Sequence, residues 1–116
     1  MKKINNYFYD IGIDVTEISR FQKLSESFIK RFLTQNEYED YMNVEESLKP
    51  KFLASRWALK EAVYKATSKW RPTPFVGIEF KKNPKGYIEC TNFNNIKVSL
   101  SYSKDKVYAI ALTIQE

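Results

Sequence analysis

The chain has 116 residues, of which 43% are apolar, so it is large enough for one domain with a hydrophobic core, expected to span residues 1–116. It contains one cysteine and no histidine, which excludes an intrachain disulfide, a zinc site of Cys and His, and catalysis by histidine. Lys and Arg number 19 against 14 Asp and Glu, and the net charge of +5 favours an acidic or phosphorylated partner.

The N-terminal region does not have the pattern of a signal peptide, and no segment suits a membrane span. Asn5, Asn6 and Asp10 interrupt the apolar run that a signal peptide needs. No apolar run approaches the ~20 residues of a membrane-spanning helix. We therefore expect a cytoplasmic protein that makes no use of a membrane.

The first half of the chain is predicted to contain one strand followed by helices. Apolar residues alternate from Tyr7 to Val15, which predicts a half-buried strand with Asp14 on its mixed face, near its end. Thr34 and Glu37 form a capping box that begins one of the helices. The predicted helices are Glu17–Leu24, Ser27–Leu33, Glu37–Asn43 and Pro50–Lys69.

The second half of the chain is predicted to form strands. The predicted strands are Phe75–Phe80, Tyr87–Cys90, Ile96–Tyr102 and Val107–Ile114. Asn83–Gly86 is a turn between the first two, and Ser103–Lys106 is a hairpin turn between the last two. Because the helices and most strands occupy separate parts of the chain, we predict an α+β fold, with an antiparallel sheet packed on the long central helix.

The long helix is apolar on two sides. One side is the predicted core stripe of Phe52, Leu59, Ala62, Val63, Ala66 and Trp70. The other side carries Leu53, Trp57 and Tyr64. Such a helix must be covered twice, once by its own sheet and once by something else, for which a partner subunit is one candidate.

Glu61 lies between these two apolar sides, with Lys65 one turn later. One interpretation is a solvated i,i+4 ion pair between Glu61 and Lys65, with Asp14 simply capping the helix that follows its strand. In the other, Asp14 and Glu61 hold one Mg²⁺ together with substrate phosphates, and Lys65 stabilises the phosphate charge. The spacing alone leaves both open.

Two segments of the chain carry recognisable motifs. Segment 11–20 reads Ile-Gly-Ile-Asp-Val-Thr-Glu-Ile-Ser-Arg, and segment 52–66 reads Phe-Leu-Ala-Ser-Arg-Trp-Ala-Leu-Lys-Glu-Ala-Val-Tyr-Lys-Ala. Together they resemble the motifs of the holo-[acyl-carrier-protein] synthases, the short group of 4′-phosphopantetheinyl transferases. Segments 32–37, 75–79 and 98–101 are also similar to the family's linking segment and later strands. The resemblance implies the phosphopantetheinyl transferase fold over nearly the whole chain, and a homotrimer with active sites between subunits.

The resemblance also implies a reaction. The family transfers 4′-phosphopantetheine from coenzyme A to a serine of apo-acyl carrier protein, with Mg²⁺, and releases adenosine 3′,5′-bisphosphate. By motif match, Asp14 and Glu61 are the metal ligands, and Glu61 also activates the serine hydroxyl. Lys65 is the catalytic group on the diphosphate. The implied partners are therefore apo-acyl carrier protein, coenzyme A and two further copies of the chain.

The remaining implied roles concern binding. Arg20 matches the arginine that grips the acidic helix of the carrier protein, and Lys23 belongs to the same basic stretch. Arg56, Tyr102 and Lys69 are expected at coenzyme A, and Lys60 either there or in helix docking. Two features depart from the family pattern: Tyr102 stands where a histidine is usual, and residues 67–71 replace a glycine-rich turn.

Two alternative functions follow from the same sequence. One is a non-catalytic or weakly active homologue that binds carrier protein or coenzyme A, for which the two departures are the argument. The other is a small basic domain that binds nucleic acid, supported by the net charge and the 16% aromatic content. The basic residues are scattered and no nucleic-acid motif is present, so a nucleic-acid partner is not expected.

Overall fold

The computed structural model describes residues 2–4, 7–67 and 77–115, and it confirms the α+β class with antiparallel strands. The strands are β1 Lys2–Ile4, β2 Tyr7–Glu17, β3 Phe80–Lys82, β4 Ile88–Cys90, β5 Ile96–Ser103 and β6 Lys106–Gln115. The α-helices are α1 Glu26–Phe32, α2 Gln35–Met42 and α3 Lys49–Thr67, with 3₁₀ turns at Ile18–Phe21 and Glu46–Leu48. No described helix is long and apolar enough to cross a membrane.

The main sheet joins the two ends of the chain. Its strand order is β1-β2-β6-β5, all antiparallel, while β3 and β4 form a separate two-stranded hairpin. The register of β2 on β6 places Asp14 opposite Ala109 and Glu17 opposite Lys106. Strand β2 is therefore held in the middle of the sheet, with its carboxylates in a fixed position.

The core lies between α3 and this sheet. Leu59, Ala62, Val63 and Ala66 are fully buried, which confirms the middle of the predicted core stripe. The other apolar side of α3 is covered largely from within the same chain, because the Trp57 ring packs against aromatic residues before and in α1. A partner subunit is therefore not required at Trp57, although Tyr64 on that side remains half exposed.

Gly12 sets how closely β2 approaches α3. A Cβ atom at Gly12 would lie 2.0 Å from the Ala62 carbonyl oxygen and 2.9 Å from the Ala66 amide nitrogen. Both neighbours are helix backbone, so neither can move aside as a flexible side chain would. A glycine is thus required for the contact that brings the end of β2 against α3.

We expect Gly12→Ala to lower the free energy of unfolding by roughly 1–3 kcal/mol or more, because the added methyl must push β2 away from α3. Chemical denaturation monitored by tryptophan fluorescence measures this change. Ser101→Ala, at an exposed position of β5, is the matched control and should unfold like the parent protein. Equal stability of the parent and Gly12→Ala proteins would show that the approach is not tight.

The face of β2 that turns inward is the mixed one. Thr16 is buried beneath α3, whereas the apolar residues of the opposite parity, Ile11 and Ile13, are 60% and 59% exposed. Val15, Tyr108 and Ile110 extend this exposed apolar surface across β2 and β6. We call these five residues the outer sheet patch. Single exposed apolar side chains are ordinary, but a contiguous set of this kind marks an interaction surface.

Two of the predicted elements differ from the structure. The helix predicted over Glu17–Leu24 is wrong, because β2 continues to Glu17 and only one 3₁₀ turn follows. That turn is held from outside, since Ser19 donates to the Asp105 carboxylate through both its amide and its hydroxyl. In the strand predicted over Phe75–Phe80, residues 75 and 76 lie outside the described residues, and the observed strand begins only at Phe80.

Candidate active site

The end of β2 and the C-terminal half of α3 bring Asp14 and Lys65 together. The Lys65 Nζ lies 3.3 Å from Asp14 Oδ1 and donates to the Ile13 carbonyl at 2.9 Å. The other carboxylate oxygen of Asp14 accepts a hydrogen bond from the Thr16 hydroxyl at 2.6 Å. The Asp14 side chain is only 14% exposed, while that of Lys65 is 50% exposed. The pair therefore forms a charged site that opens to solvent on the lysine side.

Glu61 belongs to the same site. Its partial burial raises the pKa of its carboxyl group, the negative charge of Asp14 raises it further, and Lys65 acts in the opposite direction. These influences place the three predicted catalytic residues within electrostatic reach of one another. Two carboxylates that repel each other beside one ammonium group form a site that a further cation would stabilise.

The carboxylate pair fits Mg²⁺. This ion is held in many proteins by one or two carboxylates, with water and substrate phosphate completing its coordination. The described residues contain no group of three or more His, Cys, Asp or Glu side chains that could hold a metal, so a complete protein cage is not formed there. Asp14 and Glu61 therefore suit an ion that arrives with substrate oxygens.

Arg56 lies in a different place, at a cleft of about 640 Å³ between α3, the β3–β4 hairpin and β5. It is only 7% exposed, and its guanidinium lies 4.1 Å from the centre of the Phe52 ring. Its Nη1 donates to the Ser55 hydroxyl at 3.0 Å, but its buried Nε has no hydrogen-bond partner among the described residues. The cleft thus has a mostly buried cation at its wall, one of whose nitrogen atoms is buried without a partner among the described residues.

Tyr102 lines the same cleft from β5. Partial burial raises the pKa of its phenol, against the opposing effects of a hydrogen bond with Ser55 and the charge of Arg56. The Lys51 Nζ lies 4.2 Å from the centre of the Tyr102 ring, in a cation–π contact. Sequence reasoning did not select Lys51, and its position one turn before Ser55 is the only signal that could have found it.

The structure does not bring the two groups of predicted residues together within one chain. At 3.6 residues per turn, Glu61 lies about 140° around α3 from Arg56, and Lys65 lies about 180° from it. The cleft at Arg56 and Tyr102 is lined by neither Asp14, Glu61 nor Lys65. The single chain therefore carries two separate groups of predicted residues, one on each side of its central helix. We call Asp14, Glu61 and Lys65 the first half-site, and Arg56 and Tyr102 the second half-site.

Lys60 is in neither half-site. It is fully buried, and its Nζ lies 2.6 Å from Glu37 Oε1. The expectation of a direct contact with coenzyme A is therefore wrong, whereas the ion pair does join α3 to α2 of the same chain. The capping box at Thr34 and Glu37 is confirmed, but the second role of Glu37, as the partner of Lys60, was not foreseen.

The predicted partner-binding residues lie on the surface. Arg20 is exposed on the 3₁₀ turn that follows β2, and Lys23 is exposed just after it. Lys30 and Arg31 are also exposed, at the C-terminal end of α1, so the four cations lie on consecutive elements. Lys69 lies outside the described residues.

Comparison with known proteins identifies the family. The model of the 4′-phosphopantetheinyl transferase superfamily matches residues 10–113. The holo-[acyl-carrier-protein] synthase of Mycoplasmoides gallisepticum is 42% identical over 108 residues, covering 91% of this chain and 95% of that protein. The synthase of Bacillus subtilis is 38% identical over 115 residues, covering 93% and 95%. A crystal structure of the Bacillus anthracis synthase, in complex with CoA (3′,5′-ADP), superposes with a TM-score of 0.79 at 28% identity, covering 92% and 96%. The chain therefore belongs to the 4′-phosphopantetheinyl transferase superfamily, among the holo-[acyl-carrier-protein] synthases.

Proposed function

We propose that this protein transfers 4′-phosphopantetheine from coenzyme A to a serine of apo-acyl carrier protein, releasing adenosine 3′,5′-bisphosphate. The observation that carries the proposal is the meeting of Asp14, Glu61 and Lys65 where β2 meets α3. The names of the similar proteins and the coenzyme A complex of the Bacillus anthracis synthase support the substrates. The test is release of adenosine 3′,5′-bisphosphate from coenzyme A, which should require both apo-carrier protein and Mg²⁺.

The residues of the first half-site have distinct chemical roles in this proposal. Glu61 is the proposed general base that accepts the proton of the serine hydroxyl, a role that its position in the family motif supports. The serine oxygen bonds to the phosphorus next to pantetheine, and the bond from that phosphorus to the departing bisphosphate breaks. Lys65 donates to the departing phosphate oxygen. Mg²⁺ held by Asp14 and Glu61 would neutralise the negative charge of the diphosphate.

The second half-site is proposed to hold the phosphate-bearing end of coenzyme A. Arg56 offers a buried cation with an unpartnered Nε, and Lys51 adds a second positive charge at the cleft wall. Tyr102 contributes a phenol in place of the usual histidine. The positive charge that a histidine could supply must therefore come from Arg56 and Lys51. Lys69 remains a proposed contact on the strength of the family motif alone.

We also propose that the complete active site forms between copies of the chain, in a homotrimer. The two half-sites lie on opposite sides of α3. An assembly in which each half-site comes from a different copy would let one coenzyme A molecule contact both. The outer sheet patch supplies an apolar surface for such an assembly. A ring of three copies joined head to tail would close and repeat the same site three times.

The proposed setting is the cytoplasm, as one transferase domain over residues 1–116 that serves fatty acid synthesis. A chain with one cysteine has no intrachain disulfide framework that would call for an oxidising compartment. Coenzyme A and acyl carrier protein are the two substrates that the proposed reaction must find there.

We expect Tyr102→Phe to raise the KM for coenzyme A several-fold, the worth of about 1 kcal/mol for one lost hydrogen bond, with kcat nearly unchanged. The hydroxyl is linked through Ser55 to Arg56, so its loss loosens the cleft wall without removing the ring. Steady-state kinetics measure the effect. An altered melting temperature with an unchanged KM would instead assign the hydroxyl a purely structural role.

We expect Arg20→Glu to weaken binding of apo-carrier protein while leaving coenzyme A binding almost unchanged. Arg20 is exposed and precedes further cations in α1, so reversing its charge acts on the encounter with an acidic partner. Isothermal titration calorimetry with each ligand separates the two effects. Lys97→Glu, an equal reversal at an exposed position of β5, is the control. If Arg20→Glu lost affinity equally for both ligands, Arg20 would instead contact a phosphate of coenzyme A or stabilise the fold.

A further inference from the structure

A buried ion pair ties three elements together beneath the cleft. The Lys60 Nζ and Glu37 Oε1 are 2.6 Å apart, and both side chains are completely buried. Glu37 Oε1 also accepts the Thr34 amide at 2.9 Å, and Oε2 accepts the Phe80 amide at 2.9 Å. The carboxylate thus joins the start of α2, the middle of α3 and the start of β3.

Arg56 also interacts electrostatically with the Glu37 carboxylate. It lies one turn before Lys60 on α3, on the same side of the helix. Burial lowers the pKa of both cations, and the charge of Glu37 is the largest of the influences that raise each of them again. Two buried cations therefore compete for one buried carboxylate, and geometry decides the competition, since Glu37 bonds to Lys60.

The nearest other carboxylates are already engaged. Asp40 pairs with Lys81 at 3.1 Å. Glu79 accepts hydrogen bonds from the side chains of Thr34, Asn36 and Thr91. The buried group of Arg56, Lys60 and Glu37 carries a formal charge of +1, and this excess stays with Arg56, whose Nε has no partner.

We propose that Lys60 is a positioning residue that occupies Glu37 and so keeps the charge of Arg56 available for a phosphate of coenzyme A. This inference rests on the proposed function, because it takes the cleft at Arg56 to hold that phosphate. Lys60 itself has no exposed surface, so it acts only through Glu37. If Lys60 loses its charge, Glu37 becomes the counter-ion of Arg56 and competes with the ligand.

The inference predicts opposite effects for the two members of the pair. Lys60→Met should weaken coenzyme A binding by about tenfold or more, which corresponds to roughly 1.4 kcal/mol. Glu37→Gln should leave binding unchanged or tighten it, although it lowers stability. The double variant Glu37→Gln/Lys60→Met should recover most of the affinity lost in Lys60→Met, because the competing carboxylate is gone. Titration calorimetry with coenzyme A measures each Kd.

A purely structural role predicts a different pattern. In that case Lys60→Met and Glu37→Gln would weaken binding alike, and the double variant would bind no better than Lys60→Met. Either of these results overturns the inference. If Lys60→Met does not fold, Glu37→Gln and the double variant still test the inference. Weak coenzyme A binding in both variants would contradict it, because neither variant has a Glu37 carboxylate to compete with the ligand for Arg56. Lys97→Met, at an exposed strand position, is the matched control and should bind like the parent protein.

Arg56→Met separates this inference from the proposed function. It should abolish most coenzyme A affinity whatever the state of the Lys60–Glu37 pair. If Arg56→Met binds like the parent protein, the placement of the phosphate at Arg56 is wrong. Loss of binding in Arg56→Met, together with no recovery in the double variant, rejects the role of Lys60 alone. In the kinetics, Lys60→Met should raise the KM for coenzyme A far more than it lowers kcat.

Discussion

Asp14→Asn and Glu61→Gln are each expected to lower turnover by at least about a hundredfold, the scale of losing one strong electrostatic element of a site. Asp14 and Glu61 supply the two carboxylates that suit Mg²⁺, and Glu61 is also the proposed base. Either change leaves the amide close in shape to the carboxylate, and neither residue belongs to the buried core stripe of α3. The rate of holo-carrier protein formation measures the loss.

A matched control for these variants is Glu89→Gln, which removes an exposed carboxylate on β4. It should turn over like the parent protein. Circular dichroism and melting temperature should be similar in all four proteins, so that a lost rate is not a lost fold. Near-native turnover in both Asp14→Asn and Glu61→Gln would contradict the assignment of this half-site.

The second large effect is expected when two inactive variants are mixed. Glu61→Gln lacks the first half-site and Arg56→Met lacks the second, so each should be nearly inactive alone at low coenzyme A concentration. After unfolding and refolding together in equal amounts, a site between copies can combine Arg56 from one variant with Glu61 from the other. Random assembly of a closed ring then restores about one quarter of the sites.

The mixing experiment has a built-in control. The two variants combined without refolding should remain inactive if the copies exchange slowly. A refolded mixture with only the summed activities of its components would mean that each site is complete within one chain. Sedimentation of the parent protein should give three copies per particle.

The capping box of Thr34 and Glu37 and the hairpin turn at Ser103–Lys106 were predictable because both depend on residues close in sequence. The inward face of β2 was not predictable in the same way. The alternation from Tyr7 to Val15 indicates a strand, but it does not show whether the apolar or the mixed face of that strand packs against α3. The close approach of β2 to α3 at Gly12, a residue of the mixed face, decides it.

The site shows the same division between local and distant contacts. The sequence motifs named Asp14, Glu61 and Lys65, and the structure places them together. Lys60, inside the same motif, is buried because of a partner 23 residues away, which no local pattern reveals. Lys51 joins the cleft through Tyr102 on a strand that is far along the chain. Charged residues whose role depends on tertiary partners are the ones that sequence reasoning misplaced or missed.

The most direct test of the proposed reaction is the mass of the carrier protein. Apo-acyl carrier protein incubated with this enzyme, coenzyme A and Mg²⁺ should gain the mass of one phosphopantetheine, located by fragmentation on its serine. The gain should be absent with Glu61→Gln at equal concentration and time, and present with Glu89→Gln. An unmodified carrier protein under conditions where the parent protein binds both substrates would contradict the account.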